Sequence, residues 1–246
     1  MEEFSHLLGI SILEQMPFTG LQETPRPEDI ASTLHLKQAD VVSNWETRRG
    51  VEGFSAKFLI DQAQLFWEDL DFQAFEDVLD LLIYCLVLFP NPDSFIDVNA
   101  FKIFLSHNLV PTLLGDILHA LYTCTVRRRG ILMCYMLLLA RWFILHLPKS
   151  VLKNEEGLGW SYRIMSLAHT DILWSSKAME SIAIIDRCGG YPNVPLLGIR
   201  GGITYSPCLA LRQFGRARRN GPHELLLTDI AFDYKEDVAE YRRRFI

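Results

Sequence analysis

Between Gly130 and Leu147 the chain reads GILMCYMLLLARWFILHL. Ten consecutive residues, Ile131 to Ala140, are apolar or small, and Arg141 and His146 are the only strongly polar side chains in the run. A helix that is apolar on every side must be surrounded by protein or by lipid. As a helix the run spans about 27 Å, close to the ~30 Å of a bilayer core. Arg127, Arg128, Arg129 and Lys149 flank it as membrane anchors do. Arg141 points the other way, because an arginine near a bilayer centre costs about 2.5–3.5 kcal/mol on insertion scales. Several neighbouring segments are also amphipathic and need a surface to pack on. The expectation is therefore a central helix buried in protein, with Arg141 at the edge of the core or against a carboxylate.

The rest of the composition suits that picture. Hydrophobic residues make up 49% and charged residues 22%, which excludes disorder throughout. A chain of 246 residues makes one large domain or two small ones. The net charge of −6 is unevenly spread: residues 1–100 carry −13 and residues 101–246 carry +7. A phosphate backbone could be met only by the second part. The five cysteines (Cys85, Cys124, Cys134, Cys188, Cys208) are scattered, odd in number and form no C-x-x-C. Free thiols in a reducing compartment, nuclear or cytoplasmic, are the simplest reading. The acidic start, MEEFSHLLGISILEQM, has neither a basic n-region nor a cleavage site.

Pattern along the chain is mostly helical. Pro27 opens a short helix with Ile30 and Leu34 inward, and a second runs Gln38 to Trp45. Two short helices with a tight turn allow a helix-turn-helix, but so acidic a region reads better as a paired-helix cap on the core. Gly50 and Gly53 mark a loop. Ser55 caps a helix to Leu70, with Leu59, Ala63, Phe66, Trp67 and Leu70 on one stripe. The next begins at Asp71 or Gln73 and ends near Phe89, with Phe75, Val78, Leu79, Leu82, Ile83, Leu86 and Phe89 inward. Pro90 and Pro92 stop it. Ile96 to His107 and a segment opened by Pro111 follow. The latter is expected to pair with the central run as a helical hairpin, with Gly130 just past its end.

After Pro148 the texture changes. Ile182–Ile185, Val194–Ile199, Ile203–Tyr205 and Leu225–Phe232 favour strands, with a short helix over Pro207–Ala217 and another from Glu236. The expected fold is thus mainly α: a multi-helix globular domain with a small, irregular, β-containing C-terminal section. Residues 1–148 form the helical core, and residues 149–246 a mixed section packed on it as one domain. The final YRRRFI stops in mid-pattern, as in a chain that continues into a longer protein.

No catalytic signature is present. The acidic run Glu68, Asp69, Asp71, Glu76, Asp77, Asp80 could hold a metal or act as acid and base, but the solvated outer face of two helices explains it better. The seven histidines lack zinc-site spacing, and Gly198-Ile-Arg-Gly-Gly202 lacks the Lys-Ser/Thr of a phosphate loop. Cys188 has no histidine adjacent in sequence. Arg212, Arg216 and Arg219 fall at i, i+4, i+7, and with Arg218 they form the candidate interaction surface. It would serve phosphate or an acidic partner, or pair internally with the acidic half.

Several blocks carry a family resemblance. Ile185-Asp-Arg-Cys-Gly189, Val194-Pro-Leu-Leu-Gly-Ile-Arg-Gly-Gly-Ile-Thr-Tyr205 and Leu211-Arg-Gln-Phe-Gly215 resemble the plant mobile domain family, in a branch found in retrotransposon-like genes. Leu81-Leu-Ile-Tyr-Cys-Leu-Val-Leu-Phe89 and Asp171-Ile-Leu-Trp174 are similar to further markers of it. The resemblance implies a transposon-derived protein, with some host copies acting in nuclear silencing or genome maintenance. The family is sometimes labelled aminotransferase-like, yet no lysine here sits in a recognisable cofactor loop, and Lys177 and Lys235 read as exposed. The motif residues Asp186, Arg187, Gly198, Arg200, Gly201, Gly202, Gln213, Phe214 and Gly215 are expected to be structural. The glycines suit positive-φ turns, and Arg187, Arg200 and Arg212 suit ties from loops to carbonyls or carboxylates.

The leading expectation is a non-enzymatic interaction module with a protein partner, weak and non-specific nucleic-acid contact at most, no cofactor and no membrane span. The alternatives are a cryptic enzyme of nucleic-acid or phosphate chemistry and a self-assembling, capsid-like module. A pocket with converging polar groups would favour the enzyme, and a large exposed apolar patch would favour assembly.

Overall fold

Capping side chains set the helix starts. The computed structural model of the protein describes residues 1–12, 25–91, 94–126, 128, 131–153, 157, 159–173, 194–206 and 231–233. Helix α1 (Glu2–Leu8) ends at Gly9, whose φ of 70° is left-handed. Pro27 opens α2 (Pro27–Thr33), where the Asp29 carboxylate accepts the Arg26 backbone N–H at 3.1 Å. Helix α3 (Gln38–Asn44) packs on it. Ser55 Oγ accepts the Phe58 N–H at 3.2 Å and starts α4 (Ala56–Glu68). Asp71 accepts the Ala74 N–H at 3.2 Å and starts α5 (Phe72–Ile83). Asp97 accepts the Asn99 N–H at 2.7 Å and starts α6 (Val98–Leu105). Helix α7 (Leu109–Thr125) carries Pro111 in its first turn, where a missing N–H is harmless. Helices α8 (Met136–Leu145), α9 (Lys149–Leu152) and α10 (Trp160–Met165) follow. The described residues are thus mainly α-helical, with two small sheets beside the helices.

One sheet has the order β1 (Glu46–Arg48), β2 (Val51–Ser55), β3 (Phe95–Asp97), all antiparallel. Arg48 pairs with Val51, so Arg49 and Gly50 alone make the turn, at φ 52° and 79°. Two residues with positive φ match the twist of flanking strands. Gly53 was expected in a loop and lies instead inside β2. A Cβ there would sit 1.9 Å from the Ile96 carbonyl oxygen, so only glycine lets β2 close on β3. The other sheet has the order β4 (Val194–Leu197), β5 (Gly201–Tyr205), β6 (Ala231–Asp233), with β5 and β6 antiparallel.

The chain divides into two compact units. The larger holds residues 15–135, 196–203 and 231–246; the smaller holds 1–14, 136–195 and 204–230. Pro148, where the composition changes, lies inside the smaller unit.

In the larger unit the most buried helix is α7. Every residue from Leu109 to Ile117 is buried, as is His119. Ile30, Leu34, Leu59, Leu81, Ile96, Phe101 and Ile103 complete the core, each 2% exposed or less. Each such side chain contributes about 1.5–3 kcal/mol relative to exposure. Helix α5 continues into a π-helical turn, Tyr84–Leu88, closed by the Phe89 N–H on the Tyr84 carbonyl at 2.9 Å. The wider turn leaves both Cys85 and Phe89 1% exposed.

The run from Gly130 to Leu147 is not the central helix that its composition suggests. Residues 131–135 are non-helical and belong to the larger unit, while α8 begins at Met136 in the smaller one. Ile131 is 84% exposed, and Met136, Leu137, Phe143 and Ile144 are also exposed. Arg141 is exposed rather than at the core edge. The physical reason is that the chain passes from one unit to the other midway along the run, so no single helix can bury it. Ten residues of α8 span about 15 Å. Among the described residues no helix is long and apolar enough to cross a membrane.

In the smaller unit α8 packs on α1. Phe4 and Trp142 meet edge-on at 6.2 Å between ring centres. Trp142 Nε1 donates to Glu3 Oε2 at 2.5 Å, and His146 Nε2 lies 3.3 Å from the same oxygen. His146 Nδ1 meets the Leu173 carbonyl at 2.6 Å. Both ring nitrogens face acceptors, which is the arrangement an imidazolium satisfies. Tyr205 Oη donates to Glu2 Oε2 at 2.8 Å.

Candidate functional site

Within the larger unit a cavity of about 310 Å³ opens between the β1–β2 turn, the π-helical end of α5, β3 and residues 199–200. Arg48, Arg49 and Arg200 line it, with Asp97 as the carboxylate among the lining side chains. Its wall is apolar: Val51, Cys85, Phe89, Phe95, Ala100, Met133 and Ile199. The two-residue turn places Arg49, and the neighbouring strand end places Arg48. Arg48 Nη2 donates to Glu46 Oε1 at 2.7 Å, and its guanidinium lies 5.2 Å from the centre of the Phe95 ring. Arg200 Nη2 donates to Asp116 Oδ2 at 3.1 Å.

The Arg200–Asp116 pair is built by close backbone approach. A Cβ on Gly198 would lie 2.8 Å from Asp116 backbone and Cβ atoms, and one on Gly115 would lie 2.7 Å from the Leu196 carbonyl. The Gly198 N–H donates to the Gly201 carbonyl at 2.7 Å, closing the turn that carries Arg200. Asp116 is 1% exposed, and its Oδ1 has no hydrogen-bond partner among the described residues. Burial pushes the Asp116 carboxyl up from its ordinary range, against the pull of Arg200. Asp97 is also pushed up by burial, against its hydrogen bond from Asn99. Burial pushes the Cys85 thiol well above the usual thiol range, which leaves it a poor nucleophile. Burial likewise raises Cys134 to about 11. Among the described residues no three His, Cys, Asp or Glu side chains cluster as a metal site.

The motif glycines take a different role from the one expected. Gly198 is not in a left-handed turn; its lack of a side chain lets the 196–198 backbone rest on α7. Gly201 and Gly202 are buried and begin β5, opposite Asp233 and Phe232. Arg200 joins them beside the cavity. The other motif residues, Asp186, Arg187, Gln213, Phe214 and Gly215, lie outside the described residues, as do Cys188 and the basic surface of Arg212, Arg216, Arg218 and Arg219. So do the strand expected over Ile182–Ile185 and the helices expected over Pro207–Ala217 and from Glu236. Sequence reading did not foresee the participation of Arg48, Arg49 or Asp97 in a cavity. The usable signal was Arg49-Gly50 between two short strands, a two-residue hairpin turn.

A second surface lies on the α4–α5 hairpin. Of the residues on the two apolar stripes, Leu59 and Ala63 on α4 and Val78 and Leu82 on α5 are buried, together with Ala56, Ala74 and Leu81. Ile60, Leu65, Trp67, Phe72, Leu79 and Ile83 are exposed. Trp67 stands 5.7 Å from Phe72 and 5.3 Å from Phe75 between ring centres. Leu70, in the loop between the helices, is 70% exposed and has a left-handed φ of 59°. Exposed carboxylates Asp61, Glu68, Asp69, Asp71, Glu76 and Asp80 lie along the same hairpin.

These features define a mainly helical protein with two small antiparallel sheets, an arginine-lined cavity and an apolar, acid-rimmed hairpin tip. The chain belongs to the family described as "Domain of unknown function (DUF7745)", whose profile matches residues 1–246. Comparison with curated proteins and with solved structures finds no match.

Proposed function

We propose that this chain is a non-enzymatic interaction module that receives a basic amphipathic helix on the tip of its α4–α5 hairpin. Leu70 carries the reading. A leucine in a left-handed loop costs roughly 1–2 kcal/mol of backbone strain, and 70% exposure returns little of it in packing. Neither the fold nor the turn asks for leucine there, whereas a partner surface does. Trp67 and Phe72 flank it, the residue types that anchor interfaces.

Charge selects the partner. Residues 56–89 hold seven carboxylates and one lysine, Lys57. A two-fold contact between copies would set this patch against itself, carboxylates facing carboxylates. That disfavours a two-fold self-contact through this face. A helix with apolar anchors and a basic flank satisfies both parts of the surface. Among the described residues the cavity's lining carboxylate, Asp97, holds the start of α6 and its lining thiol, Cys85, is kept neutral by burial, which supports the non-enzymatic reading over phosphate chemistry. The resemblance to the plant mobile domain family supplies the setting we propose: a transposon-derived plant protein working in the nucleus, in silencing or genome maintenance.

The test is a titration of the purified chain with a synthetic leucine–lysine amphipathic helix, its leucine–glutamate twin and a scrambled control. The lysine peptide binds at micromolar level, and Leu70→Lys with Phe72→Lys abolishes binding while the melting temperature changes little, since both side chains are exposed. Self-association of the wild type, abolished by the same double variant, would instead assign the face to a second copy. Equal binding of all three peptides would remove the charge argument.

A further inference from the structure

We infer that the arginine-lined cavity is a binding site for a small amphiphilic anion, a carboxylate or phosphate headgroup on an apolar body. The site lies apart from the α4–α5 tip and shares no lining side chain with it. Its volume of about 310 Å³ is at the small end of the ~300–1,000 Å³ range of ligand pockets.

Three observations converge. The first is the guanidinium-rich lining: three arginines, delivered from two distant parts of the chain, stand with one lining carboxylate, while Glu46 beside the cavity accepts one Arg48 N–H at 2.7 Å. Asp97 is committed to capping α6, its Oδ1 held by the Asn99 N–H at 2.7 Å. Arg200 is anchored through one Nη2 on Asp116, and its side chain is 35% exposed, so the anchor fixes the fork while part of it still faces outward. A planar guanidinium held in place on one side is suited to grip an oxyanion on the other. The second is the apolar remainder of the wall, Cys85, Phe89, Phe95, Ala100 and Ile199, which gives a bare inorganic ion no partner but suits a hydrocarbon body. The third is local irregularity at the cavity's edge. Cys85 and Phe89 reach it from a π-helical turn, a feature frequent at functional sites. Arg49 reaches it from φ 52°, in a turn where asparagine or glycine would be less strained. Strain kept at a residue with a charged head in a cavity points to use of that head.

The experiment measures binding of octyl phosphate, octanoate, inorganic phosphate, octanol and octyltrimethylammonium to the full chain by calorimetry, below micelle-forming concentrations. One or both octyl anions bind with one-to-one stoichiometry, and the stronger of the two identifies the headgroup. Inorganic phosphate and octanol each bind at least about tenfold more weakly, as does the cation. Arg49→Asn relieves the turn, so its melting temperature equals or exceeds that of the wild type while its affinity for the octyl anion falls roughly tenfold, the loss of one charge-assisted contact. Arg48→Gln gives a similar loss. Met133→Trp, which fills the space without changing charge, blocks both octyl anions. Binding that ignores headgroup charge would reduce the cavity to an apolar hole. Phosphate binding as tight as octyl phosphate would remove the amphiphile. Anion binding unaffected by Arg48→Gln and Arg49→Asn, or none at millimolar concentration, would overturn the assignment.

Discussion

Asp116 stands on α7 almost wholly buried, with the Arg200 guanidinium 3.1 Å from its Oδ2. Replacing Arg200 with glutamine takes away that carboxylate's ion-pair partner. Because the Arg200 side chain is a third exposed, the expected cost is about 1–3 kcal/mol rather than that of a fully buried pair. Burial raises the Asp116 pKa, so the folded state takes up its proton more readily than the unfolded chain does. The cost of Arg200→Gln should therefore shrink as pH falls, and Asp116→Asn should restore part of it; denaturant melts of both variants across pH 4–8 check this. Glu3 and His146 behave in the opposite sense. The Glu3 hydrogen bond raises His146. Burial pushes Glu3 up, but its bonds from His146 and Trp142 win and hold it below its ordinary range. The histidine contribution is complete below about pH 6.5 and fades as pH rises through the raised value. The glutamate contribution is complete above about pH 4.5 and fades as pH falls through the lowered value. The pair thus contributes most between those limits, about 2 kcal/mol as a charge-assisted hydrogen bond, and His146→Gln should flatten the stability profile on both sides. At Gly198 a methyl group meets Asp116 backbone at 2.8 Å, so Gly198→Ala should cost about 1–3 kcal/mol in the same melts.

Helices α4 and α5 each begin at a side chain that accepts one backbone N–H, Ser55 for Phe58 and Asp71 for Ala74. Ser55→Ala and Asp71→Ala should each lower stability by about 1 kcal/mol, and with no shared partner the two losses should add. These caps made the starts of α4 and α5 legible in the sequence, Pro27 and Pro111 did the same for α2 and α7, and apolar spacing marked the helices between. Periodicity marks an apolar face but not what covers it. Trp67, Leu70, Leu79 and Ile83 therefore read as core although they face outward, as residues at a partner surface would. The first sheet left little local trace, because β1 and β3 have three residues each and β3 joins β2 from forty residues away. The cavity was illegible for the same reason: Arg48 and Arg49 meet Arg200 only through tertiary structure. The glycine-rich block around Gly198 was visible, but its use, a close approach to α7, depends on a helix eighty residues earlier. The apolar run before Leu147 misled because its composition carries no sign that the chain changes unit between Tyr135 and Met136.

Over the whole molecule the charge split of −13 and +7 divides the two classes of partner we propose. A basic helix belongs to the acidic hairpin. We propose that any nucleic-acid contact falls to the basic part and is weak and unspecific, since phosphate contacts carry no base information. Replacing Arg212, Arg216 and Arg219 with alanine should lower the salt slope of DNA binding by roughly one unit per lost contact; a lowered melting temperature with unchanged binding would assign them to internal pairs instead. The central claim rests on the hairpin tip, and Leu70→Asn tests it most directly. Asparagine tolerates the left-handed conformation that leucine resists. The account predicts that the variant melts a few degrees higher than the wild type while its affinity for the basic amphipathic peptide falls roughly tenfold. A variant that melts lower and binds the peptide as tightly as the wild type would show that Leu70 serves the fold, and would contradict the account.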